Sequence, residues 1–510
     1  MAGSIGAPVA AQRSARNSSF AIPEPLVSAT FGAVVLGVAL RALCGAGLPL
    51  WLDETFTGAM AAEATFRSVI QQSLLEANGP LYSIFMHLWS QQFGLSNSAL
   101  RAPAFLFGIA APLVALIPAK GISKEVRLLW CALTALWIPA IWYSQEARCY
   151  SLLFCLIMGC TVAYAHLLAN PNIRRAVIWA CLSSIAILTH YHALLLIAVQ
   201  GIAYLAVHRM RAMRTWPAAL AFVPALAWIY LQLPRIGQFA DPDATWFGLL
   251  TFADAPSVLN FILGDVGLIP ALALIVAIPA IVRRRDAGPN TVSADADMRC
   301  YLWVIVATAA FSAATVIIIG MARPSFTARY LMPFMPGILL GFAWTISQFG
   351  RRWALAPVAV LLVAAGAALG SLFGQAQQAI KYYNFEAASH SLMASGAERL
   401  VFLWDNPVTR VYDPSQLQAA GGFFFRRAGK DVTIEPIYLK PGDDPNARLL
   451  SAASAPGSAI LWLYDLNIRA TAARLHPPRI EQIDPAWRCK DFGRGPFGVI
   501  ACYRAAAPLS

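Results

Sequence analysis

The chain has little charge for its length. Only 13% of its 510 residues are Asp, Glu, Lys or Arg, whereas 58% are hydrophobic and the mean hydropathy is +0.59. A soluble globular domain usually carries about 25% charged residues. The shortage excludes a soluble globular protein and predicts a polytopic membrane protein.

Motifs that would indicate several other functions are also missing. The sequence contains no C-x-x-C pair, no P-loop and no dinucleotide-binding glycine fingerprint. We therefore infer no zinc ribbon and no nucleotide site. The net charge of +12 lies largely in short clusters between apolar runs. Such clusters are typical of cytoplasmic loops, so the charge predicts membrane orientation and no nucleic-acid partner.

What is present is a succession of apolar runs. They cover 26–46, 101–119, 126–143, 149–168, 176–190, 191–208, 215–233, 257–281, 300–320, 330–349 and 353–373. Placing the basic clusters on the cytoplasmic side predicts about eleven transmembrane helices, with the N-terminus inside and the C-terminus outside. Residues 1–24 are predicted to be a disordered cytoplasmic tail. Residues 25–373 are predicted to be the transmembrane domain, with a first outside loop at 47–100.

Two stretches deviate from full crossings. The run 81–92 is too short to span, which predicts a helix in the outer interface. Between Arg175 and Arg209 the chain reaches only about 51 Å as helix, against roughly 60 Å for two crossings. The turn at 189–192 is therefore predicted to stop below the outer surface. That position places His190 and His192 at depth.

The composition changes near 374. From there to 510 the chain carries charges, prolines and short β-rich runs at 399–404, 432–438, 459–464 and 499–503, with helical stretches at 414–420 and 467–475. These features predict a soluble extracytoplasmic α/β domain. Cys489 and Cys502 flank a glycine-containing turn at near-symmetric distances. A hairpin there would bring the two cysteines together, so we predict a disulfide.

Two adjacent carboxylates, Asp53 and Glu54, follow the first apolar run. Acidic side chains at membrane depth are costly and usually functional. The predicted topology gathers further polar side chains on the same face: Asn78, Tyr82, Arg101, Glu146, Arg148, Tyr150, His190, His192, Arg329 and Tyr330. Carboxylates and arginines together suit a substrate with a phosphate and a hydroxyl nucleophile, because a carboxylate accepts the proton and arginines stabilise phosphate oxygens.

The motifs also resemble a known family. They are W-x-D-E at 51–54, N-G-P-L-Y at 78–82 with H-x-W at 87–89, S-Q-E-A-R-x-Y at 144–150, T-H-Y at 189–191 and R-Y-L-x-P at 329–333. In this order they resemble bacterial relatives of protein O-mannosyltransferases. Those proteins are GT-C membrane glycosyltransferases, as are the lipid A aminoarabinose and galacturonic acid transferases. The resemblance covers roughly 45–345 and implies a GT-C fold.

The resemblance implies roles for individual residues. Asp53 would be the catalytic base or would orient the acceptor, and Glu54 would support it. Arg148 and Arg329, with Tyr330, would bind the donor phosphate, and Arg101 is a weaker alternative. Several relatives carry Asp in the cluster where this chain has Glu146. Glu146, Asn78, Tyr82, Tyr150, His190 and His192 would line the substrate cavity.

The implied reaction is displacement at the anomeric carbon of a polyprenyl-phosphate sugar, with inversion. The acceptor would be a hydroxyl of lipid A or lipopolysaccharide, a polysaccharide or a protein. Arginine or a divalent metal ion would hold the charge of the leaving phosphate, and no other cofactor is implied. The enzyme would be a multi-pass protein of the bacterial inner membrane, in contact with membrane lipid. Its active site and C-terminal domain would face the periplasm.

Other interpretations remain open from the residues alone. Glu146 and Arg148 could form an internal ion pair that fixes their loop. His190 and His192 could bind a metal, although residues spaced by two do not share a helix face. A transporter or flippase for a lipid-linked saccharide would also need charges in a membrane cavity. It would usually show paired repeats or broken helices near the midplane, and the sequence shows no convincing repeat.

Overall fold

The computed structural model describes residues 24–43, 48–76, 78–241, 248–264, 294–350, 355–379, 384–440, 443–465, 480–493 and 497–504. Up to Ala379 the described chain is helical. Its helices are α1 (Glu24–Leu43), α2 (Leu52–Ala61), α3 (Phe66–Leu75), α4 (Leu81–Phe93), α5 (Asn97–Val114), α6 (Lys124–Leu136), α7 (Ile138–Tyr143), α8 (Tyr150–Ala169), α9 (Ile173–Thr189), α10 (His192–His208), α11 (Met210–Met213), α12 (Val223–Phe239), α13 (Ala255–Leu263), α14 (Ala294–Ala322), α15 (Met335–Gly350) and α16 (Ala356–Ala379). Short 3-10 turns lie at Trp216–Phe222, Phe252–Asp254 and Ala328–Phe334.

In the described part of the chain, six helical stretches are long and apolar enough to cross a membrane. They are Glu24–Leu43, Asn97–Val114, Tyr150–Ala169, Trp216–Phe239, Cys300–Ala322 and Ala328–Gln348. Three shorter apolar helices accompany them, at His192–His208, Phe252–Leu263 and Ala356–Ser371. Most of run 257–281 lies outside the described residues. The chain is thus a multi-pass membrane protein, and the count of eleven crossings stays a prediction.

The predicted run 126–143 is divided into two helices. Trp137 ends α6 with an extended conformation, φ −64° and ψ 112°, and α7 begins at the next residue. Pro139 falls at the start of α7, where its missing N–H costs nothing because first-turn amides have no helical partner anyway. The break allows the chain to turn before it reaches the loop at 144–149.

The short run 81–92 forms α4, which has 13 residues. At 1.5 Å per residue it measures about 20 Å, too short for a full span. Gly79 lies just before it and packs so closely on the Leu188 carbonyl that any Cβ would clash with it. This contact fixes the start of α4 against the end of α9.

The C-terminal part contains a five-stranded sheet of order β2-β1-β3-β5-β4. Its strands are β1 (Arg399–Asp405), β2 (Thr433–Ile437), β3 (Ser458–Asp465), β4 (Trp487–Asp491) and β5 (Phe497–Arg504). Strand β1 is parallel to β2 and β3, whereas β5 is antiparallel to β3 and β4. The helices of the C-terminal part are α17 (Phe385–Ala394), α18 (Pro414–Gly421), α19 (Phe423–Arg427), α20 (Pro445–Ala452) and α21 (Ile480–Ile483).

Four of these strands and helix α18 match the predicted elements. Strand β4 was not predicted, because it is short, largely exposed and rich in charge. Cys489 of β4 pairs in register with Cys502 of β5, and a disulfide joins them. The predicted disulfide is confirmed. The predicted helix 467–475 lies outside the described residues, and the division of the chain at 373 stays a prediction.

The C-terminal part packs directly on α2. Phe56 and Ala59 of α2 share one apolar cluster with Phe402 and Phe423. Gly58 faces the Phe423 ring, where a Cβ would lie 2.6 Å from a ring carbon. Helix α2 therefore lies between the membrane helices and the sheet.

Candidate active site

Asp53 and Glu54 lie in the first turn of α2. The chain enters the helix through Trp51, which is extended at φ −86° and ψ 172°. A helix N-terminus favours negative charge. Successive residues on a helix point about 100° apart, so the two neighbouring carboxylates face different surroundings.

Glu54 faces inward and is fully buried, with 0% exposure. Its Oε1 accepts hydrogen bonds from Arg101 Nε at 2.7 Å and from the Ala147 amide at 2.8 Å. Its Oε2 accepts from Arg101 Nη2 at 2.6 Å and from the Trp51 amide at 3.1 Å. The carboxylate is occupied by four donors, which supports a structural role in place of the predicted catalytic one.

The Arg101 guanidinium also makes several hydrogen bonds. Besides its ion pair with Glu54, it donates to the Leu48 carbonyl at 2.7 Å and to the Pro49 carbonyl at 3.0 Å. Its guanidinium therefore ties α5 to α2 and to the segment before α2. This geometry does not favour the alternative in which Arg101 binds the donor phosphate.

Asp53 faces two arginines from distant segments. Its Oδ2 lies 3.2 Å from Arg329 Nη1 and 3.8 Å from Arg148 Nη2, and Arg148 Nη1 donates to the Asp53 carbonyl at 3.0 Å. The three side chains stay partly accessible, with exposures of 23% for Asp53, 19% for Arg148 and 14% for Arg329. Two cations thus share one partly exposed carboxylate. The sequence predicted that both arginines lie at helix ends and face one place, and they do meet.

Aromatic rings line the space beside Arg329. The Tyr330 ring stacks on His192 with centroids 4.0 Å apart and lies 5.8 Å from His190. The Arg329 guanidinium lies 5.9 Å from the centroid of the Tyr150 ring, which is itself 5.7 Å from His190. His190 is buried within the protein at 4% exposure, and its depth in the membrane stays a prediction. These four rings form a wall against which a phosphate or a sugar can pack.

A divalent cation does not fit the described part of the site. No group of three or more His, Cys, Asp or Glu side chains among the described residues is arranged to hold a metal. Asp53 and Glu54 are paired with arginines, and His190 Nδ1 lies 3.3 Å from the His192 amide, which donates to it. We therefore derive no step through a metal.

Glu146 lies in the loop before α8, close to these charges. No described residue donates a hydrogen bond to its buried Oε2. Burial raises the pKa of Glu146 to about 8, and the neighbouring Glu54 charge adds to that effect. Within the described chain Arg148 pairs with Asp53, not with Glu146, so the predicted ion pair inside the loop does not form.

Asn78 lies just before α4, and Tyr82 lies in the first turn of α4. The Asn78 carbonyl oxygen lies 3.2 Å from the Tyr191 hydroxyl oxygen. Tyr82 is buried at 6% exposure, and its hydroxyl has no hydrogen-bond partner among the described residues. The structure therefore brings the N-G-P-L-Y segment to the site, as predicted.

Three residues near the site were not predicted: Glu76, Gln416 and Tyr412. Burial raises the pKa of Glu76, which also feels the charges of Arg148 and Asp53. Gln416 donates to Glu76 Oε1 at 3.0 Å, and the Tyr412 ring packs 5.3 Å from Phe56. Gln416 and Tyr412 come from the C-terminal part, and no pattern in the sequence places them here. Glu76 could have been noticed, because it lies two residues before the N-G-P-L-Y motif.

Known proteins share the fold at low sequence identity. No family model and no curated protein sequence matches the chain. ArnT from Cupriavidus metallidurans in the apo state gives a TM-score of 0.56 at 13% identity, covering 92% of this chain and 98% of ArnT. ArnT bound to undecaprenyl phosphate gives 0.52 at 13% identity, covering 92% and 97%.

A third structure, the Archaeoglobus fulgidus oligosaccharyltransferase in the apo form, gives a TM-score of 0.50 at 11% identity. The match covers 93% of this chain and 74% of that protein. ArnT and the oligosaccharyltransferase are GT-C glycosyltransferases. The chain therefore has the GT-C fold, and the fold expected from the motifs is confirmed.

Proposed function

We propose that the chain is a glycosyltransferase that moves a sugar from a polyprenyl-phosphate donor to a hydroxyl acceptor. The observation that carries the proposal is the convergence of Arg148 and Arg329 on Asp53, beside the ring of Tyr330. ArnT, which has the same fold, has been solved with undecaprenyl phosphate bound. The acceptor is a hydroxyl of lipid A or lipopolysaccharide, a polysaccharide or a protein.

The arginines form the donor phosphate site. A guanidinium can make two parallel hydrogen bonds to phosphate oxygens, and two such groups can hold the charge that builds on the leaving polyprenyl phosphate. The Asp53 carboxylate lies against the same two guanidinium groups. The donor phosphate therefore competes with Asp53 for them.

This competition frees the base. When the phosphate takes the arginines, the Asp53 carboxylate loses its two cationic partners and can accept a hydrogen bond from the acceptor hydroxyl. The acceptor hydroxyl gives its proton to Asp53 as its oxygen forms a bond to the anomeric carbon. The bond from that carbon to the phosphate oxygen breaks with its electron pair on the phosphate. The product has the opposite anomeric configuration, because one displacement inverts the carbon.

We also propose that the protein lies in the bacterial inner membrane, with the site and the C-terminal domain facing the periplasm. The basic clusters support this orientation, because positive residues favour cytoplasmic loops. Reporter fusions after Arg285 and Arg352 are expected to report a cytoplasmic location. A fusion after Phe373 is expected to report a periplasmic one. The reverse pattern would contradict both the topology and the side on which the chemistry occurs.

The central test is Asp53→Asn in nanodiscs supplied with lipid-linked sugars extracted from a bacterial envelope. Loss of a general base typically slows the rate about 10²–10⁴-fold, or roughly 3–5 kcal/mol of barrier. Undecaprenyl phosphate should still bind the variant. Asp431→Asn is the matched control, because Asp431 is exposed in the C-terminal part. Transfer at the wild-type rate by Asp53→Asn would remove Asp53 from the chemistry.

A further inference from the structure

Gln232 is a buried amide inside a helix that is apolar enough to cross the membrane. It is 0% exposed and belongs to the stretch Trp216–Phe239. A primary amide in such a place is costly unless its donors and acceptor are all satisfied. Its Nε2 donates to the Ser73 carbonyl at 2.6 Å and to the Glu76 carbonyl at 2.9 Å, and its Oε1 accepts from the Tyr191 hydroxyl. One side chain thus joins α12, the end of α3 and the turn between α9 and α10.

The turn leads to the phosphate site. Tyr191 lies between His190 and His192 in sequence, and the His192 ring stacks on Tyr330. Tyr330 follows Arg329, which pairs with Asp53. The contacts therefore form a continuous path from the Gln232 amide to the arginine that we assign to the donor phosphate.

The same helix also contacts the C-terminal part. Arg235, three residues after Gln232, donates through Nε to the Leu75 carbonyl at 2.6 Å and through Nη2 to Gln416 Oε1 at 2.9 Å. Gln416 in turn donates to Glu76 Oε1 at 3.0 Å. The end of α3 is therefore held from one side by α12 and from the other by α18.

We propose that Gln232 is a positioning residue for the donor site, a role that rests on the proposed function. It touches none of the reacting groups. It holds the 189–192 turn at a fixed distance from the end of α3, and the turn holds Tyr330 and Arg329 in place for the phosphate. The hydrogen bonds of Arg235 and Gln416 anchor the same end of α3 to the C-terminal part. Loss of the Gln232 amide should therefore weaken phosphate binding at a distance.

The test measures binding of undecaprenyl phosphate to the full-length protein in nanodiscs. Gln232→Leu keeps the approximate length of the side chain and removes all three hydrogen bonds. Couplings carried through packed networks amount to about 0.5–2 kcal/mol, so we expect Kd to rise about 2- to 30-fold. Tyr191→Phe should give a smaller rise. In the double variant it should add almost nothing to Gln232→Leu, because both changes interrupt the same path.

Gln200→Leu is the matched control. Gln200 is also a buried amide in an apolar helix, at 1% exposure, and it accepts from Trp179 Nε1 at 3.1 Å, away from the 189–192 turn. A merely structural role for Gln232 predicts equal losses of binding in both variants. We expect Kd to change only for Gln232→Leu.

Wild-type Kd in folded Gln232→Leu would overturn the proposal, and so would an equal change in Gln200→Leu. If Gln232→Leu does not fold, Tyr191→Phe carries the test, and an unchanged Kd there overturns the proposal equally. A failure of the proposed function looks different. In that case the wild-type protein itself would not bind undecaprenyl phosphate.

Discussion

Asp53 and Glu54 are neighbours in sequence but lie in opposite surroundings. Glu54 has 0% exposure and accepts four hydrogen bonds, with Arg101 as its single cationic partner. Asp53 is 23% exposed and is shared by two arginines, one of them 3.8 Å away. An ion pair whose hydrogen bonds are all formed gains nothing when it exchanges its partners. A carboxylate that is loosely held between two cations can give them up to a phosphate.

The difference also concerns charge balance. Glu54 and Arg101 neutralise each other. Around Asp53 there are two guanidinium groups and one carboxylate, and the raised pKa of Glu146 keeps that side chain largely protonated near neutral pH. Asp53, Arg148 and Arg329 together therefore carry one excess positive charge. An excess of this sign attracts an anionic donor and strengthens its hydrogen bonds.

The largest effect expected from this comparison is a loss of stability in Glu54→Gln. Glu54→Gln leaves the Arg101 side chain, which is only 13% exposed, without a counter-charge. Breaking a buried pair in this way costs about 3–5 kcal/mol. We expect Glu54→Gln to lower the unfolding temperature sharply in detergent. The double variant Glu54→Gln/Arg101→Met should recover part of the loss, because it removes the uncompensated charge. A stable Glu54→Gln protein that had lost only its activity would instead assign Glu54 to the chemistry.

The next largest effect concerns Arg329. A hydrogen bond to a charged group contributes about 1.5–3 kcal/mol, and lysine offers only a point charge where arginine offers a fork. We expect kcat/KM to fall in Arg329→Lys and to fall further in Arg329→Ala. Part of the loss should appear in kcat, because charge builds on the departing phosphate.

Arg323→Ala is the control for these variants, since Arg323 is exposed at the end of α14. Sugar transfer assays should find this control at the wild-type rate. If both Arg329 variants also transfer sugar at that rate, Arg329 is structural and the phosphate site lies elsewhere.

A smaller effect is expected on the pH dependence of stability, and it comes from the Glu146 carboxyl group. Its pKa is raised to about 8 in the folded protein, against about 4.3 for an ordinary glutamate. Between these pH values the folded state binds one proton more than the unfolded state, so stability falls as the pH rises through this window. As the pH rises through this window, we expect the free energy of unfolding of the wild type to fall by at least about 1.4 kcal/mol more than that of Glu146→Gln. This amount corresponds to a shift of one pKa unit.

Thermal unfolding of both proteins at about pH 5 and about pH 8.5 measures this difference, because the two values span most of the window. Parallel pH profiles would mean that Glu146 titrates normally in the folded protein.

The sequence predicted the features that depend on local pattern. Long apolar runs predicted the helices, β-rich runs predicted four strands, and the predicted topology placed Arg148 and Arg329 on the same face as Asp53. The sequence could not predict that Glu54 and Asp53 have different surroundings, because the difference arises from the contact of Glu54 with Arg101. Gln232 was missed for a similar reason. Two of its three partners lie more than a hundred residues before it, at Ser73 and Glu76, and a single glutamine does not interrupt an apolar pattern.

The smallest expected effect is the change in stability caused by Asp53→Asn. Ion pairs that remain accessible to water typically contribute only about 0–1 kcal/mol, and all three side chains around Asp53 are partly exposed. We therefore expect Asp53→Asn to unfold within about 1 kcal/mol of the wild type, although it transfers almost no sugar. It should also bind undecaprenyl phosphate more tightly, because the asparagine amide no longer competes for the two arginines. Unfolding and lipid binding can be measured on the same preparation. A loss of stability as large as that of Glu54→Gln would place Asp53 in the scaffold, and weaker lipid binding would show that Asp53 does not compete with the phosphate.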